Sequence, residues 1–298
     1  MLFRSQKTKF YIEIVLLKYW GLNSIFSGGL SQYKISFSGI WPVQIGQQTF
    51  VKFVLDDSAA AIAGVKTGDE LLAIGNVRFS SLGFRKGESS ELEFASTSEK
   101  KKRVKIRPAT LSLQSHFLEA TKKSKAILRV ENKKIGYLHL WCGTHEAFLQ
   151  TLNSTLKEFE TSAIAGLIID LRDGFGGASP EYLNEISENP FYKKIPLVFL
   201  INEGVTSGKE WLAAIVKAKK IGTLVGIKTA GAFMAGAAFN LLSDRYLLYL
   251  AVREFNPPDI PRIEGIGVEP DIEVPACARF CKGKDPQFDK ALETILFK

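Results

Sequence analysis

Apolar segments of strand length alternate with helical segments over the second half of this 298-residue chain. From Ala126 onward, the pattern predicts strands at 135–141, 165–171, 197–201, 223–226 and 245–252, and helices at 146–160, 180–186, 210–219 and 285–297. Such alternation is typical of an α/β layer with a largely parallel sheet. In such folds the functional loops lie at the carboxyl ends of the strands.

The clearest of these strand ends lies within residues 195–212, which read I-P-L-V-F-L-I-N-E-G-V-T-S-G-K-E-W-L. A buried strand here runs through a tight turn into a helix that begins near Ser207. This junction places the Ser207 hydroxyl as a nucleophile and leaves the Gly208 N–H available to an oxyanion. The alternative is that Ser207 only caps the helix, and local sequence alone favours that alternative.

Two further segments end in glycine-rich or acidic turns: G-L-I-I-D-L-R-D-G-F-G-G at 166–177 and I-E-G-I-G-V-E-P-D-I-E-V at 263–274. Together with N-E-G-V-T-S-G-K-E-W-L-A at 202–213 and V-G-I-K-T-A-G at 225–231, they resemble the tail-specific, or C-terminal processing, serine peptidases. The resemblance runs in order from about residue 40 to the C-terminus. It implies an α/β core of the ClpP/crotonase-like kind.

The resemblance assigns roles to several residues. Many of these peptidases use a lysine base, but Ala232 occupies that position here, and Gly236 replaces the usual glutamine. The tricorn-like branch, which includes the chlamydial protease-like activity factor, uses a histidine base and a glutamate that orients it, and Glu264 matches that glutamate. The 170–177 segment matches the second oxyanion loop, in which Gly176 or Gly177 would donate an N–H.

The general base is the unresolved part of this assignment. Lys34 stands where the tricorn-like branch has its histidine, and a lysine base requires burial that lowers its pKa. The three histidines, His116, His139 and His145, do not match the motif and are interpreted as structural or exposed. The base could otherwise come from a partner chain or from sequence before Met1, or peptidase activity could be lost.

The first part of the chain is predicted to contain a peptide-binding module. Residues 1–32 are predicted as an N-terminal helical segment, with a start that is internal or truncated. Residues 33–109 resemble a small β-rich PDZ domain, mainly through G-V-K-T-G-D-E-L-L at 64–72, and residues 110–298 would be the peptidase core. In such modules a sheet edge binds an extended peptide. Phe37, Gly39 and Ile40 would form its carboxylate-binding loop.

Composition bears on three further questions: nucleic-acid binding, membrane insertion and metal binding. The net charge is +8, and the basic run Lys100-Lys101-Lys102-Arg103 has no interleaved aromatic residues, which argues against a nucleic-acid site. No apolar run is long enough to span a bilayer. Cys277 and Cys281 could form a local disulfide or hold a metal, but no histidine lies nearby in sequence, so no metal or cofactor is predicted. The resemblance suggests a periplasmic or secreted protein, although residues 1–20 show no signal-peptide core.

The sequence therefore predicts a serine endopeptidase in which Ser207 attacks, Gly208 and the Gly176–Gly177 loop stabilise the oxyanion, and Glu264 orients the base. Its partner would be a polypeptide substrate, engaged through its C-terminus; a homo-oligomer is left open. The alternative is a catalytically silent peptide-binding protein on the same fold, since both usual bases are missing. An esterase is disfavoured because Ser207 lacks a G-x-S-x-G context.

Overall fold

A computed structural model of the chain describes residues 2–4, 11–16, 34–79, 88–241 and 246–297. The strands up to residue 112 are β1 (Leu2–Arg4), β2 (Tyr11–Leu16), β3 (Lys34–Phe37), β4 (Ile40–Ile45), β5 (Gln48–Val54), β6 (Glu70–Ile74), β7 (Val77–Arg78), β8 (Ser90–Ala95), β9 (Lys101–Ile106) and β10 (Ala109–Ser112). The later strands are β11 (Ala126–Val130), β12 (Lys133–His139), β13 (Gly166–Asp170), β14 (Leu197–Ile201), β15 (Thr223–Gly226), β16 (Ala235–Leu241), β17 (Tyr246–Arg253) and β18 (Ile272–Glu273). The α-helices are α1 (Ala59–Ile62), α2 (Leu113–Ser124), α3 (Glu146–Thr161), α4 (Asn184–Glu188), α5 (Gly208–Ala218) and α6 (Pro286–Leu296).

A six-stranded sheet in the order β11-β12-β13-β14-β15-β18 forms the centre of the α/β core. Strands β16 and β17 belong to a separate antiparallel sheet in the order β1-β2-β17-β16. All its neighbouring strands are parallel except the β11–β12 pair. Every residue of β13 and β14 is buried, as expected for strands covered on both faces. The predicted alternation of strands and helices in a largely parallel sheet is therefore confirmed.

Helices cover both faces of this sheet. Helix α3 turns Phe148, Leu152, Leu156 and Phe159 to the sheet at intervals of three or four residues, the spacing of one helical face. Residues of α2 and α5 belong to the same apolar cluster, whereas α6 packs Ala291 and Ile295 on the opposite face. None of the helices in the described ranges is both long and apolar enough to cross a bilayer.

The β-rich unit, defined as residues 40–79 and 88–106, contains a sheet in the order β4-β5-β6-β8-β9, with β7 paired to β6. It has its own apolar core, which includes Val51, Leu71 and Phe94. The chain enters and leaves this unit through the antiparallel β3–β10 ribbon. The other face of β5 packs on the α/β core, where Phe53 lies 5.1 Å from Trp141 between ring centroids.

The N-terminal helix predicted within residues 1–32 is wrong where the structure describes that segment. Residues Tyr11–Leu16 form strand β2, which pairs antiparallel with β1 and β17. The segment reads Y-I-E-I-V-L, rich in β-branched residues that favour strands, and β17 offers it a pairing partner. Residues 17–32 lie outside the described residues.

Cys277 and Cys281 form a disulfide, which settles the choice between a disulfide and a metal site for this pair. The loop that they close packs on the β-rich unit: the Phe280 N–H donates to the Gly68 carbonyl at 2.7 Å, and the Phe280 ring meets Phe50 edge-on. This loop therefore ties the last helix of the core to the β-rich unit. Cys142 is buried and free.

Candidate active site

Ser207 lies at the junction between β14 and α5, as the sequence predicts. Its backbone has φ 52° and ψ −129°, a conformation that non-glycine residues rarely adopt. The Ser207 N–H donates to the Ala232 carbonyl at 2.9 Å, which holds this turn in place. The side chain does not cap the helix, so the capping alternative is not what the structure shows. Strained backbone at a strand-to-helix turn is typical of exposed nucleophiles.

The glycine-rich loop after β13 lies directly against Ser207. A Cβ atom added to Gly176 would fall 2.7 Å from Ser207 Cβ and 3.4 Å from its Oγ. Gly208 lies against the Ala178 backbone, where an added Cβ would lie 2.0 Å from the carbonyl oxygen. Gly177 packs on Thr144 instead. The structure thus brings the loop and the first turn of α5 to the same side chain.

A buried lysine anchors the start of that loop, and sequence reasoning missed it. Lys209 is fully buried, and its ammonium donates to the carbonyls of Leu140, at 3.2 Å, and of Asp173. Burial lowers the pKa of Lys209 to about 8. Because its hydrogens are directed at backbone carbonyls, Lys209 joins α5 to the ends of β12 and β13 and is not oriented as a base.

Glu264 is buried and holds backbone groups of the loop at 229–234. Its Oε2 accepts hydrogen bonds from the N–H groups of Phe233, at 2.6 Å, and Met234, at 2.9 Å. The sequence predicted that Glu264 orients a base, and its hydrogen bonds here go to this loop instead. All three histidines are described, and none hydrogen bonds to Glu264 or Ser207.

Glu210, three residues after Ser207, holds the same loop from the other side. Its carboxylate accepts hydrogen bonds from the Thr229 hydroxyl at 2.6 Å and from the N–H groups of Gly231, at 2.7 Å, and Ala232, at 2.8 Å. Burial raises the pKa of Glu210, although these hydrogen bonds oppose the shift. Two buried glutamates therefore fix the loop whose Ala232 carbonyl holds the Ser207 backbone. Glu210 has no signal in the sequence beyond its place in the motif.

Lys34 does not meet the requirement set for a base. It lies on β3 opposite Ser112 of β10, and its side chain is exposed. The burial that a lysine base requires is therefore absent at this position. No described residue hydrogen bonds to the Ser207 hydroxyl.

Phe37, Gly39 and Ile40 lie between the two apolar cores. Gly39 and Ile40 are buried, and a Cβ added to Gly39 would lie 2.1 Å from Ser58 Oγ. The Phe37 ring meets Trp41 and His116 edge-on. The structure therefore places these residues in packed surroundings, and their role in peptide binding stays a prediction.

His116 is buried on α2, in agreement with its interpretation as a structural residue. Burial lowers its pKa to about 4, against a hydrogen bond to the Ile35 backbone that raises it. Its Nε2 has no hydrogen-bond partner in the described part of the chain. The folded protein therefore holds His116 neutral at pH values where an unfolded chain would protonate it.

His116 should make the folded state sensitive to mild acid. The unfolded chain binds the extra proton below about pH 6.5, so the free energy of unfolding should fall between pH 6.5 and pH 4, by at most about 3 kcal/mol. His116→Gln cannot take up that proton and should remove this part of the pH dependence. Urea unfolding of both proteins at pH 7 and pH 4.5 measures it. An equal difference between them at both pH values would contradict the prediction.

Part of the chain, which includes the candidate nucleophile, matches the model of a known protein family. Residues 179–274, which include Ser207 and Glu264, match the model of Peptidase family S41. This match covers about a third of the chain. The S41 region does not include Lys34 or the Gly176–Gly177 loop.

Curated proteins with peptidase names are similar to this chain in sequence. The chain is 23% identical over 279 residues to a carboxyl-terminal-processing protease of Synechocystis, covering 81% of this chain and 63% of that protein. It is 25% identical to a tricorn protease of Thermoplasma volcanium, covering 65% of this chain and 22% of that protein. The chain thus spans less than two thirds of either relative.

A solved structure shares the fold. The photosystem II D1 C-terminal processing protease superposes with a TM-score of 0.51 at 18% sequence identity, covering 80% of this chain and 72% of that one. Since identity is this low, the likeness concerns the mixed α/β fold. It agrees with the α/β class predicted from strand alternation.

Proposed function

We propose that this protein is a serine-type endopeptidase that hydrolyses polypeptides, with Ser207 as its nucleophile. The observation that carries the proposal is the strained Ser207 at the start of α5, beside the glycine-rich loop and with an uncapped hydroxyl. The N–H groups of Gly208 and of Gly176 or Gly177 would stabilise the negatively charged oxygen of the tetrahedral intermediate. The similarity to S41 peptidases supports the same reaction.

In this proposal the buried glutamates have a positioning role. Glu264 and Glu210 hold the loop at 229–234, and this loop holds the Ser207 backbone through Ala232. The proton acceptor for Ser207 would come within hydrogen-bond reach only in the substrate complex, where catalytic hydrogen bonds commonly tighten. The β-rich unit would act as a PDZ-like module that presents the substrate.

A second candidate function is a catalytically silent peptide-binding protein. It is favoured by the exposed Lys34, by Ala232 in place of a lysine, and by the absence of a base hydrogen-bonded to Ser207 among the described residues. This candidate predicts peptide binding that Ser207→Ala leaves unchanged and no turnover.

Labelling with a fluorophosphonate probe distinguishes the two candidates. An activated serine attacks the phosphorus and displaces fluoride, so the folded protein should gain one adduct on Ser207, detectable by mass spectrometry of the intact protein. Ser207→Ala and the urea-unfolded wild-type protein are the controls and should remain unlabelled. Lack of an adduct on the folded wild-type protein would reject the peptidase and leave the binding protein.

A further inference from the structure

One lysine of the β-rich unit contacts both segments that meet at Ser207. Lys52 lies on β5, and its ammonium is 3.0 Å from Asp173 Oδ1 and 3.2 Å from Glu203 Oε1. Asp173 belongs to the glycine-rich loop, three residues before Gly176, and Glu203 precedes Ser207 by four residues. A single cation of the β-rich unit is therefore paired with one carboxylate on each of the two segments that carry the candidate oxyanion donors.

The Asp173 carboxylate is buried, and one of its two oxygens depends on Lys52. Its Oδ2 accepts a hydrogen bond from Asn202 Nδ2 at 3.0 Å. Within the described residues, Oδ1 accepts no hydrogen bond, and Lys52 is the cation paired with it. A buried carboxylate oxygen whose charge is not offset costs free energy. The ion pair with Lys52 therefore favours one position of Asp173 and of the loop that begins there.

The backbone of Asp173 is held as tightly as its side chain. Its φ is 50°, in a region that non-glycine residues adopt only when their contacts hold them there. The Asp173 N–H donates to Asn202 Oδ1 at 3.1 Å, and its carbonyl accepts a hydrogen bond from the buried Lys209 ammonium. Because Lys209 follows Gly208 directly, a displacement of Asp173 would also disturb the first turn of α5.

Lys52 is charged and partly shielded from water. Burial alone would lower the pKa of Lys52, but Asp173 and Glu203 outweigh that effect and raise it. The Lys52 side chain is 27% exposed and that of Asp173 only 10%. An ion pair in such surroundings is screened less by salt than one on the open surface.

A second contact links the β-rich unit to the same loop. Asp56, just beyond β5, accepts a hydrogen bond from Trp141 Nε1 at 2.8 Å. The Trp141 carbonyl in turn accepts a hydrogen bond from the Phe175 N–H at 2.8 Å. The β-rich unit thus acts on the glycine-rich loop at two points, and of these the Lys52 pair is the direct one.

We propose that Lys52 is a positioning residue for the candidate active site. It holds the glycine-rich loop and the turn before Ser207 at the separation at which their N–H groups can share one oxyanion. The inference rests on the proposed peptidase function for its catalytic meaning. It goes beyond that function because it gives the β-rich unit a direct part in the geometry of the site, apart from any binding of substrate.

Lys52→Met removes the charge and keeps most of the apolar stem. Amide hydrogen exchange of residues 173–178 and 203–208, measured by mass spectrometry of proteolytic fragments, should become about tenfold faster because both segments lose a shared anchor. Exchange of the buried strand β13 should stay unchanged. The rate constant for fluorophosphonate labelling of Ser207 should fall about tenfold, since small displacements of the donors weaken oxyanion stabilisation.

Two further variants separate a role of the charge from general damage. Lys52→Arg keeps the charge and should restore both the slow exchange and the labelling rate to within about threefold of the wild type. Lys217→Met is the matched control, because Lys217 pairs with Asp271 at 3.1 Å at the opposite end of α5 from Ser207. It should leave exchange in both segments unchanged.

Unchanged exchange in both segments of Lys52→Met would overturn the proposal. Equal acceleration by Lys217→Met, or equal behaviour of the Met and Arg variants at position 52, would also overturn it. Should Lys52→Met fail to fold, Glu203→Gln provides the test, because Glu203 is half-exposed and its loss leaves Asp173 paired. Exchange of residues 203–208 should then become about threefold faster, and no acceleration would refute the role of Lys52.

Hydrogen exchange requires no catalysis, so it tests Lys52 independently of the peptidase. Absence of labelling in the wild-type protein would reject the proposed function, whereas the exchange rates would still decide whether Lys52 positions the two segments.

Discussion

Gly176→Ala should slow fluorophosphonate labelling of Ser207, and cleavage of any peptide substrate, by about two to three orders of magnitude, the effect of losing one oxyanion donor. The added methyl group would lie 2.7 Å from Ser207 Cβ and 2.8 Å from the Thr206 carbonyl oxygen. Contacts this short force the glycine-rich loop and the start of α5 apart. The N–H donors would then no longer lie around one oxyanion position. Labelling rates followed by intact-protein mass spectrometry measure the loss.

Gly136→Ala is the matched control for crowding at a buried glycine. Gly136 lies on β12, away from the serine, and its added Cβ would lie 2.9 Å from side-chain atoms of Ile164 and Phe159. It should lower stability but leave the labelling rate of the folded protein near that of the wild type. Equal labelling rates for Gly176→Ala and the wild-type protein would show that the glycine-rich loop does not contribute to the oxyanion site.

Asp170→Asn should destabilise the protein by about 3–5 kcal/mol, the loss expected when one partner of a buried ion pair is removed. Asp170 is fully buried at the end of β13, and its Oδ2 accepts hydrogen bonds from Arg172 Nη2 at 2.6 Å and from the Tyr137 hydroxyl at 3.0 Å. Burial alone would raise the pKa of Asp170, but the Arg172 guanidinium, with a smaller effect from His139, holds that pKa well below its ordinary value.

The pH dependence of this destabilisation follows from the lowered pKa. The unfolded chain protonates Asp170 near pH 4, whereas the folded protein keeps it ionised to lower pH, so the stabilisation is complete above pH 4. It is lost as the pH falls from there toward the folded-state pKa. The difference in unfolding free energy between Asp170→Asn and wild type should therefore shrink in acid.

Urea unfolding at pH 7 and pH 3 measures both the size and the pH dependence. Glu269→Gln is the control, because Glu269 pairs with Lys228 at 2.8 Å on the exposed surface and should contribute no more than about 1 kcal/mol. A loss at Asp170 no larger than at Glu269 would mean that the buried pair does not stabilise the core.

The parallel sheet and the Ser207 junction could both be predicted from sequence because each depends on local pattern. Strand β14 and helix α3 begin at the predicted residues, since runs of apolar residues and the change to helical spacing mark them directly. The N-terminal segment was mispredicted because 11–16 is short and apolar. Its strand depends on pairing with β17, more than 200 residues later.

The roles of the site residues also depend on contacts between distant parts of the chain, which local sequence does not show. The sequence shows the position of Glu264 in its motif. The hydrogen bonds that Glu264 accepts from the N–H groups of Phe233 and Met234 depend on how two loops pack together. Lys34 matched a motif position, and only the β3–β10 ribbon decides that its side chain is exposed. In the sequence Lys209 looks like an ordinary lysine on a helix. Only the structure shows that the ends of β12 and β13 bury it and accept its hydrogen bonds.

The sequence by itself determined the α/β class, the order of the strands along the chain, and the turn that carries Ser207 and Gly208. Each follows from interactions among residues a few positions apart. Only the tertiary structure decided that Gly176 lies against Ser207 and that two buried glutamates hold one loop. These contacts join residues far apart in the chain, and they form because burial of the apolar faces brings those segments together.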